Sequence, residues 1–235
     1  MNIGIIVFPG TWSDKDCFYS LSNINKQFCE FIWHKNEQII LENFDAIIIP
    51  GGFSYGDFLR SGSIASLSPI MDKVKIYAKN GNPVIGICNG FQILCESNLL
   101  PGTLIRNKHL QFRCEWSNIK VENNNTIFTS SINDERILSI PISHGEGNFY
   151  ADENVIDDLE KNNQIVFRYT DKKGIVNQQS NPNGSINNIA GIINKDGNIL
   201  GMMPHPEKAC DELIGGSDGN MIFQSLINVF NKVKQ

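Results

Sequence analysis

Val84-Ile85-Gly86-Ile87-Cys88-Asn89-Gly90-Phe91-Gln92-Ile93-Leu94 is the stretch on which the reading of this chain turns. Val84 to Ile87 is a short apolar run that reads as a buried strand, and Phe91, Ile93, Leu94 and Cys95 then recur at helical spacing. Cys88 falls between strand end and helix start, with glycine two residues to either side, the pattern of a nucleophile elbow. Glycines allow a sharp turn that a side chain would block. A helix N-terminus behind a sulfur favours the thiolate and offers free N–H groups to a developing oxyanion. The competing reading is a small cysteine buried for packing alone.

Upstream, the same alternation repeats. Ile3 to Phe8 reads as a strand, Phe18 to Phe28 as a helix, Phe31-Ile32-Trp33 as a short strand, Asp45 to Pro50 as another strand, and Ile64 to Ala78 as a helix. Continuous apolar strands alternating with helices predict an α/β fold with a parallel sheet covered on both faces. Ligands on such sheets bind beyond the carboxyl ends of the strands, where both Cys88 and Gly51-Gly52 are expected.

The second half is less regular. Strands are predicted at Ile137 to Ile142, Ile165 to Tyr169, Ile189 to Ile193 and Ile199 to Met203, with a hairpin turn at Asp196-Gly197 and a closing helix from Met221 to Val233. Asp171 to Asn188, rich in Asn, Ser, Lys and Gly, is expected to be a surface loop. No internal repeat or domain boundary shows, so one domain over residues 1–235 is expected.

A second strand-like run, Ile199 to Met203, leads into Pro204-His205-Pro206-Glu207. Pro206 biases His205 toward an extended backbone, in which residues two apart project to the same side, so Glu207 is placed to orient the His205 imidazole. Cysteine, histidine and an orienting carboxylate are the parts of an activated thiol nucleophile. By itself the His-Pro-Glu piece reads equally well as a surface histidine beside a helix-starting glutamate.

The chain has 235 residues, 41% hydrophobic and 19% charged, with a net charge of -5. This is globular composition without the basic balance that nucleic acid binding demands. No apolar run approaches membrane-spanning length, and the apolar start at Ile3 is too short for a signal segment, so a cytoplasmic protein is expected. Six cysteines without tight spacing suggest no disulfide scaffold, and with no C-x-x-C pair and four scattered histidines no metal site is expected. Cys17, Cys29, Cys95, Cys114 and Cys210 are read as packing residues.

Pro50-Gly51-Gly52-Phe53-Ser54-Tyr55-Gly56-Asp57, Gly86 to Gln92, Val121 to Thr126, Pro141-Ile142-Ser143-His144-Gly145-Glu146-Gly147-Asn148 and Gly201 to Glu207 together resemble the class I glutamine amidotransferase family. Within it the resemblance is to the PurQ-type glutaminase subunits of phosphoribosylformylglycinamidine synthases, and it covers nearly the whole chain. It implies a single flavodoxin-like domain with a mostly parallel sheet and helices on both faces. It further implies that Cys88 attacks L-glutamine, that His205 moves the proton and that Glu207 orients His205. By resemblance, the oxyanion donors are main-chain N–H groups of Asn89 and of Gly52 or its neighbour, with Gly51 and Gly52 allowing close approach. A tight turn after a strand is the plainer reading of those glycines. Gln92 and the Ser143-His144-Gly145-Glu146 loop are implied to hold glutamine, Glu146 by its α-ammonium. His144 reads equally as a hydrogen-bonded structural histidine or a rival base.

The family usually carries Ser-Asn-Cys-Asp where this chain has Thr11-Trp12-Ser13-Asp14, so that loop's role is open. The chain lacks both G-x-x-x-x-G-K-[ST] and a strand-borne G-x-G-x-x-G, so no ATP site of its own is expected. The resemblance instead implies a synthetase subunit carrying ATP and Mg, with a small bridging subunit, receiving ammonia from this chain for purine biosynthesis. Two other readings remain open at this point. One is an amidotransferase of another pathway or a γ-glutamyl hydrolase. The other is a non-catalytic docking subunit, against which the intact Cys88, His205 and Glu207 weigh.

Overall fold

The structure is a computed structural model that describes residues 1–133 and 136–233. Its strands are β1 Asn2–Val7, β2 Phe28–Trp33, β3 Ala46–Ile49, β4 Val84–Ile87, β5 Thr103–Ile105, β6 Arg113–Val121, β7 Ile137–His144, β8 Asn148–Tyr150, β9 Ile165–Thr170, β10 Ile189–Ile193 and β11 Ile199–Met202. Its α-helices are α1 Asp14–Phe18, α2 Ser63–Ser66, α3 Pro69–Lys79, α4 Asn89–Glu96, α5 Glu153–Lys161 and α6 Asn220–Val233. Nine strands make one mixed sheet in the order β2-β1-β3-β4-β11-β10-β9-β6-β7, and β5 pairs with β8 apart from it.

The sheet has two halves. From β2 to β11 every neighbouring pair is parallel. From β11 to β7 every pair is antiparallel. All residues of β3, β4 and β11 are buried, as expected of parallel strands with both faces covered. β7 alternates residue by residue between half-buried and buried, so only one of its faces meets the core. The α3 helix turns Ile70, Met71, Val74, Tyr77 and Ala78 inward, and the Tyr77 hydroxyl donates to the Phe44 carbonyl at 3.0 Å. That bond lets a buried phenol sit in the core without an unpaired proton.

Several elements differ from the sequence reading. The helix expected over Phe18 to Phe28 begins at Asp14, widens into a π-helical segment at Tyr19–Ile24, and gives way to β2 at Phe28. Side-chain periodicity does not distinguish the closely similar α and π windings. The helix expected over Ile64 to Ala78 is two, because Ser68 is extended before Pro69, as the steric restriction on a residue preceding proline requires. β5, β6, β8 and α5 had no sequence counterpart. β6 is the longest of the three strands among these, and its first four residues are mostly exposed, which hides the alternation that begins at Ser117. The Asp196-Gly197 turn does join an antiparallel pair, β10 and β11.

The Asp171 to Asn188 segment is not simply a surface loop. Asn183 and Ser185 are buried, and both donate to the Gly147 carbonyl, at 2.7 and 3.2 Å. Composition pointed outward because Asn and Ser are polar; their hydrogen bonds let them go inward. Cys114 is likewise exposed rather than packed, because it lies on the outward stretch of β6. Among the described residues no helix is long and apolar enough to cross a membrane.

Candidate active site

Three adjacent parallel strands, β3, β4 and β11, end side by side, with Ile49 opposite Gly86 and Met202 opposite Ile87. Within three residues beyond these ends come Gly51-Gly52, Cys88 and Pro204-His205. Sheet register therefore brings together groups that are far apart in sequence. The Cys88 amide donates to the Met202 carbonyl at 2.7 Å and the His205 amide to the Pro141 carbonyl at 2.8 Å, which fixes both backbones.

Cys88 has φ 51° and ψ −104°, a conformation an L-residue adopts only at a cost of about 1–3 kcal/mol. The strain sits on the cysteine itself. Its flanking glycines serve close approach instead: a Cβ on Gly90 would collide with the Ile49 carbonyl oxygen, and one on Gly86 would meet the Gly90 backbone at 2.7 Å. Side chains at either glycine would block the turn, as expected, while the positive φ falls on Cys88 itself. The elbow is bent at Cys88, and α4 is held tight beneath it by residues without side chains.

His205 Nδ1–H donates to Glu207 Oε1 at 2.6 Å, and both side chains are buried. The pair meets by a route other than the extended segment expected: His205, at φ −100° and ψ 87°, lies outside the extended region, and Glu207 is already in a tight 3-10 turn over Pro206–Lys208. With Nδ1 committed to the carboxylate, Nε2 is buried and has no hydrogen-bond partner. The ring lies beside the thiol, since a Cβ built on Gly51 would be 2.6 Å from His205 Cε1 and 3.4 Å from Cys88 Cβ. Burial pulls the imidazole toward its neutral form, but the Glu207 carboxylate and the Cys88 sulfur outweigh it and raise its pKa above the usual 6.5. An imidazolium held beside a sulfur is the charge arrangement of an activated thiol.

A cavity of about 210 Å³ opens over Cys88, and its wall includes Gly52, Gln92, Ser143, His144, Gly145 and Glu146. These are six of the eight residues expected around the substrate. The other two, Gly51 and Asn89, stand behind it. The Ser143 carbonyl lies 3.7 Å from the Cys88 sulfur. Gly52 faces Thr11 in a short antiparallel bridge made by the amides of Trp12 and Phe53, a pattern that leaves the Gly52 N–H directed away from the pair. A Cβ on Gly52 would stand 2.6 Å from the Gly10 carbonyl oxygen, so the divergent Thr11-Trp12-Ser13 segment acts as a strap behind this turn.

A chain of amides ties the walls together. Asn89 Oδ1 accepts from the Ser54 amide at 3.1 Å, Asn89 Nδ2 donates to Gln92 Oε1 at 2.9 Å, and Gln92 Nε2 donates to the Glu146 carbonyl at 2.6 Å. Both ends of the Gln92 amide are thus engaged, and it locks the nucleophile helix to the 145–147 loop. His144 shares its Nδ1 with Asn107 Oδ1 at 3.2 Å, and Asn107 also receives the Gly147 amide at 3.0 Å. Burial, reinforced by His205, drives the His144 pKa down to about 3, so it is neutral at physiological pH.

Sequence reasoning missed Asp57, Ser61, Phe53 and Phe112, which line the same cavity. Asp57 closes the Gly-Gly-Phe-Ser-Tyr-Gly-Asp run, so its signal was present but unassigned. A second cavity, about 220 Å³, lies on the other side of Gly52, Phe53 and Ser143, with Trp12, Pro141, Ile142 and His205 in its wall. Among the described residues no group of three or more His, Cys, Asp or Glu could hold a metal ion.

The profile of the CobB/CobQ-like glutamine amidotransferase domain matches residues 1–226. The chain is 50% identical over 228 residues to "Phosphoribosylformylglycinamidine synthase subunit PurQ" of Moorella thermoacetica, covering 97% of this chain and 96% of that one. It is 53% identical over 226 residues to the protein of the same name in Chlorobaculum parvum, covering 96% and 89%. A chain of the solved structure of PurLQS from Thermotoga maritima superimposes with a TM-score of 0.86 at 38% identity, covering 97% of this chain and 98% of that one.

Proposed function

Because the chain belongs to the CobB/CobQ-like glutamine amidotransferase family, and within it to the PurQ-type subunits of phosphoribosylformylglycinamidine synthase, we propose that it hydrolyses L-glutamine with Cys88, His205 and Glu207 and passes the ammonia to a synthetase partner. The observation that carries this reading is the buried His205, locked to Glu207 at 2.6 Å with its other nitrogen beside the strained Cys88 elbow.

The Cys88 sulfur attacks the side-chain amide carbon of glutamine, forming a C–S bond and an oxyanion. The main-chain N–H groups of Asn89 and Gly52 serve as its donors, one at the start of α4 and one at the end of β3. His205 gives its proton to the amide nitrogen, the C–N bond breaks, and ammonia leaves a γ-glutamyl thioester. Water, deprotonated by His205, then attacks the thioester carbon, the C–S bond breaks, and glutamate and the thiol are regenerated. Glu207 keeps the His205 tautomer fixed through both halves.

His205 stands on the wall of the second cavity, whose other lining includes Trp12, Phe53, Pro141 and Ile142. Neutral ammonia released at His205 therefore meets mainly apolar walls, which supports transfer to the partner without passage through bulk water. The partner is the synthetase, with a small bridging subunit, as in the PurLQS complex named for the Thermotoga relative. ATP and Mg belong to the synthetase, and formylglycinamide ribonucleotide is aminated there, in the cytoplasm.

The test is glutamate release from glutamine, by this chain alone and then with synthetase, bridging subunit, ATP and formylglycinamide ribonucleotide. A low basal rate that rises on assembly is expected. A rate that ignores assembly, whether high or absent, overturns the proposal.

A further inference from the structure

The cavity over Cys88 has a negative wall. Asp57 and Glu146 both line it, and none of the described residues lining it is Lys or Arg. The two carboxylates are not equivalent. Glu146 Oε2 accepts from the Ser61 hydroxyl at 2.6 Å, and Glu146 Oε1 lies 3.6 Å from Arg106 Nε. Asp57 Oδ1 is buried with no hydrogen-bond partner. Ser61 has one proton, and while it serves Glu146 it cannot also serve Asp57. Burial, and then the Glu146 charge, push the Asp57 pKa up to about 6, with Ser61 opposing them only in part. A buried carboxylate oxygen without a partner is costly, and the group that removes the cost is a cation.

The backbone that presents Asp57 is unusual in the same way as the nucleophile's. Tyr55, Gly56 and Asp57 all have positive φ, at 54°, 67° and 54°. Two of these three carry side chains, each disfavoured in this conformation by about 1–2 kcal/mol. The loop persists because the Tyr55 amide donates to the Pro9 carbonyl at 2.7 Å and the Gly56 amide to the Phe53 carbonyl at 2.8 Å. Strain at a loop beside Cys88, in a segment whose carboxylate belongs to the cavity wall, marks a binding group. Another lining residue, the buried His144, also has an unpartnered ring nitrogen, Nε2.

We infer that Asp57 is the specificity-determining counterion for the α-ammonium of the amino-acid substrate, with Glu146, already engaged by Ser61 and Arg106, a second charge on the same wall. This rests on the glutaminase reading above and adds a residue to it. The consequence is selection for a free α-amine: an amide donor without that amine leaves the half-buried Asp57 carboxylate without a counterion. A site built around a buried polar group rejects ligands that cannot pair with it far more strongly than it rejects changes in apolar size.

The experiment measures steady-state hydrolysis of L-glutamine and of 5-amino-5-oxopentanoate, its analogue without the α-amine, in the assembled complex. Wild type, Asp57→Asn, Glu146→Gln and Cys88→Ser are compared. Asparagine keeps the shape and tolerates positive φ, so Asp57→Asn is expected to fold. For that variant KM for L-glutamine should rise about 10- to 100-fold, the scale of a lost charge-assisted bond, while kcat changes by less than about threefold. Its kcat/KM for the analogue should be unchanged or improved. Glu146→Gln should lose less of the preference for the amine than Asp57→Asn does. Equal losses on both substrates in Asp57→Asn, or a larger loss of preference in Glu146→Gln, would overturn the assignment. Turnover of both substrates by Cys88→Ser at the wild-type rate would instead overturn the glutaminase reading itself, so the two failures are distinguishable.

Discussion

The two halves of the sheet build the site by different means. In the parallel half, β3, β4 and β11 are buried on both faces, and their backbones alone carry Gly52, Cys88 and His205 to one edge. In the antiparallel half, β7 has one buried face, and the 143–147 segment at its end is held by side chains from elsewhere in the chain: Gln92 of α4, and Asn107, Asn183 and Ser185 of loops. The proposed reacting groups stand at strand ends, where strain such as that at Cys88 can be sustained. The wall that receives the substrate is held by a polar network, which is specific only while every member is satisfied.

The contrast makes predictions, and the largest concerns the nucleophile. Cys88→Ser should lower glutamate release by at least about a thousandfold with the circular dichroism spectrum and melting temperature kept, because the substitution touches chemistry and not packing. Activity near wild type would take the chemistry out of the parallel half altogether.

Glu207→Gln should cost about a hundredfold or more in kcat, since the amide still fills the space but no longer fixes the tautomer or holds the proton. It also has a pH signature. The His205 pKa is raised in the fold, so the associated stability is fully present below about 6.5 and is lost as pH climbs through the raised value. Glu207→Gln should flatten that alkaline decline, and thermal melts from pH 6 upward will show whether it does.

Gly90→Ala drives a methyl into the Ile49 carbonyl and should cost about 3 kcal/mol or prevent folding. Gly145→Ala meets only Phe112, at an ordinary 3.6 Å, and should cost less than about 1 kcal/mol. Urea titrations of the pair compare backbone tolerance in the two halves directly, and equal costs would erase the distinction.

Asn183→Ala should lower stability by about 1–3 kcal/mol and raise KM for glutamine more than it lowers kcat, because it unpins the Gly147 carbonyl and loosens the substrate wall. The smallest effect on turnover is expected at His144. His144→Asn should reduce kcat by less than about tenfold and leave the pH–rate profile unchanged, since a group with its pKa near 3 holds no proton to exchange near neutrality. Its stability signature has the opposite sign to that of His205. The fold keeps His144 neutral, so stability is present above pH 6.5 and falls as pH drops toward 3. The variant should shed that acid sensitivity. Loss of a limb from the pH–rate profile would instead make His144 a base.

Most of the parallel half was readable from the chain alone. β4 runs from Val84 to Ile87 as its apolar run does, and Cys88, His205 and Glu207 announce themselves because an elbow and a histidine–carboxylate pair are local patterns. β10 was legible for the same reason, as an unbroken apolar run. β6 was not, because its outward face is polar and its partners β7 and β9 lie elsewhere in sequence. The inward turn of Asn183 and the pairing of Ser61 with Glu146 rather than Asp57 also lie beyond local pattern. Local spacing and apolar runs suffice for strands that are covered on both sides and for reactive residues at their ends, since both depend on near neighbours in the chain. Where each polar side chain finds its partner depends on distant segments meeting. That is why Cys88 could be proposed as a nucleophile from eleven residues, whereas the unpaired carboxylate oxygen of Asp57 in the same cavity wall emerged only when the chain was folded.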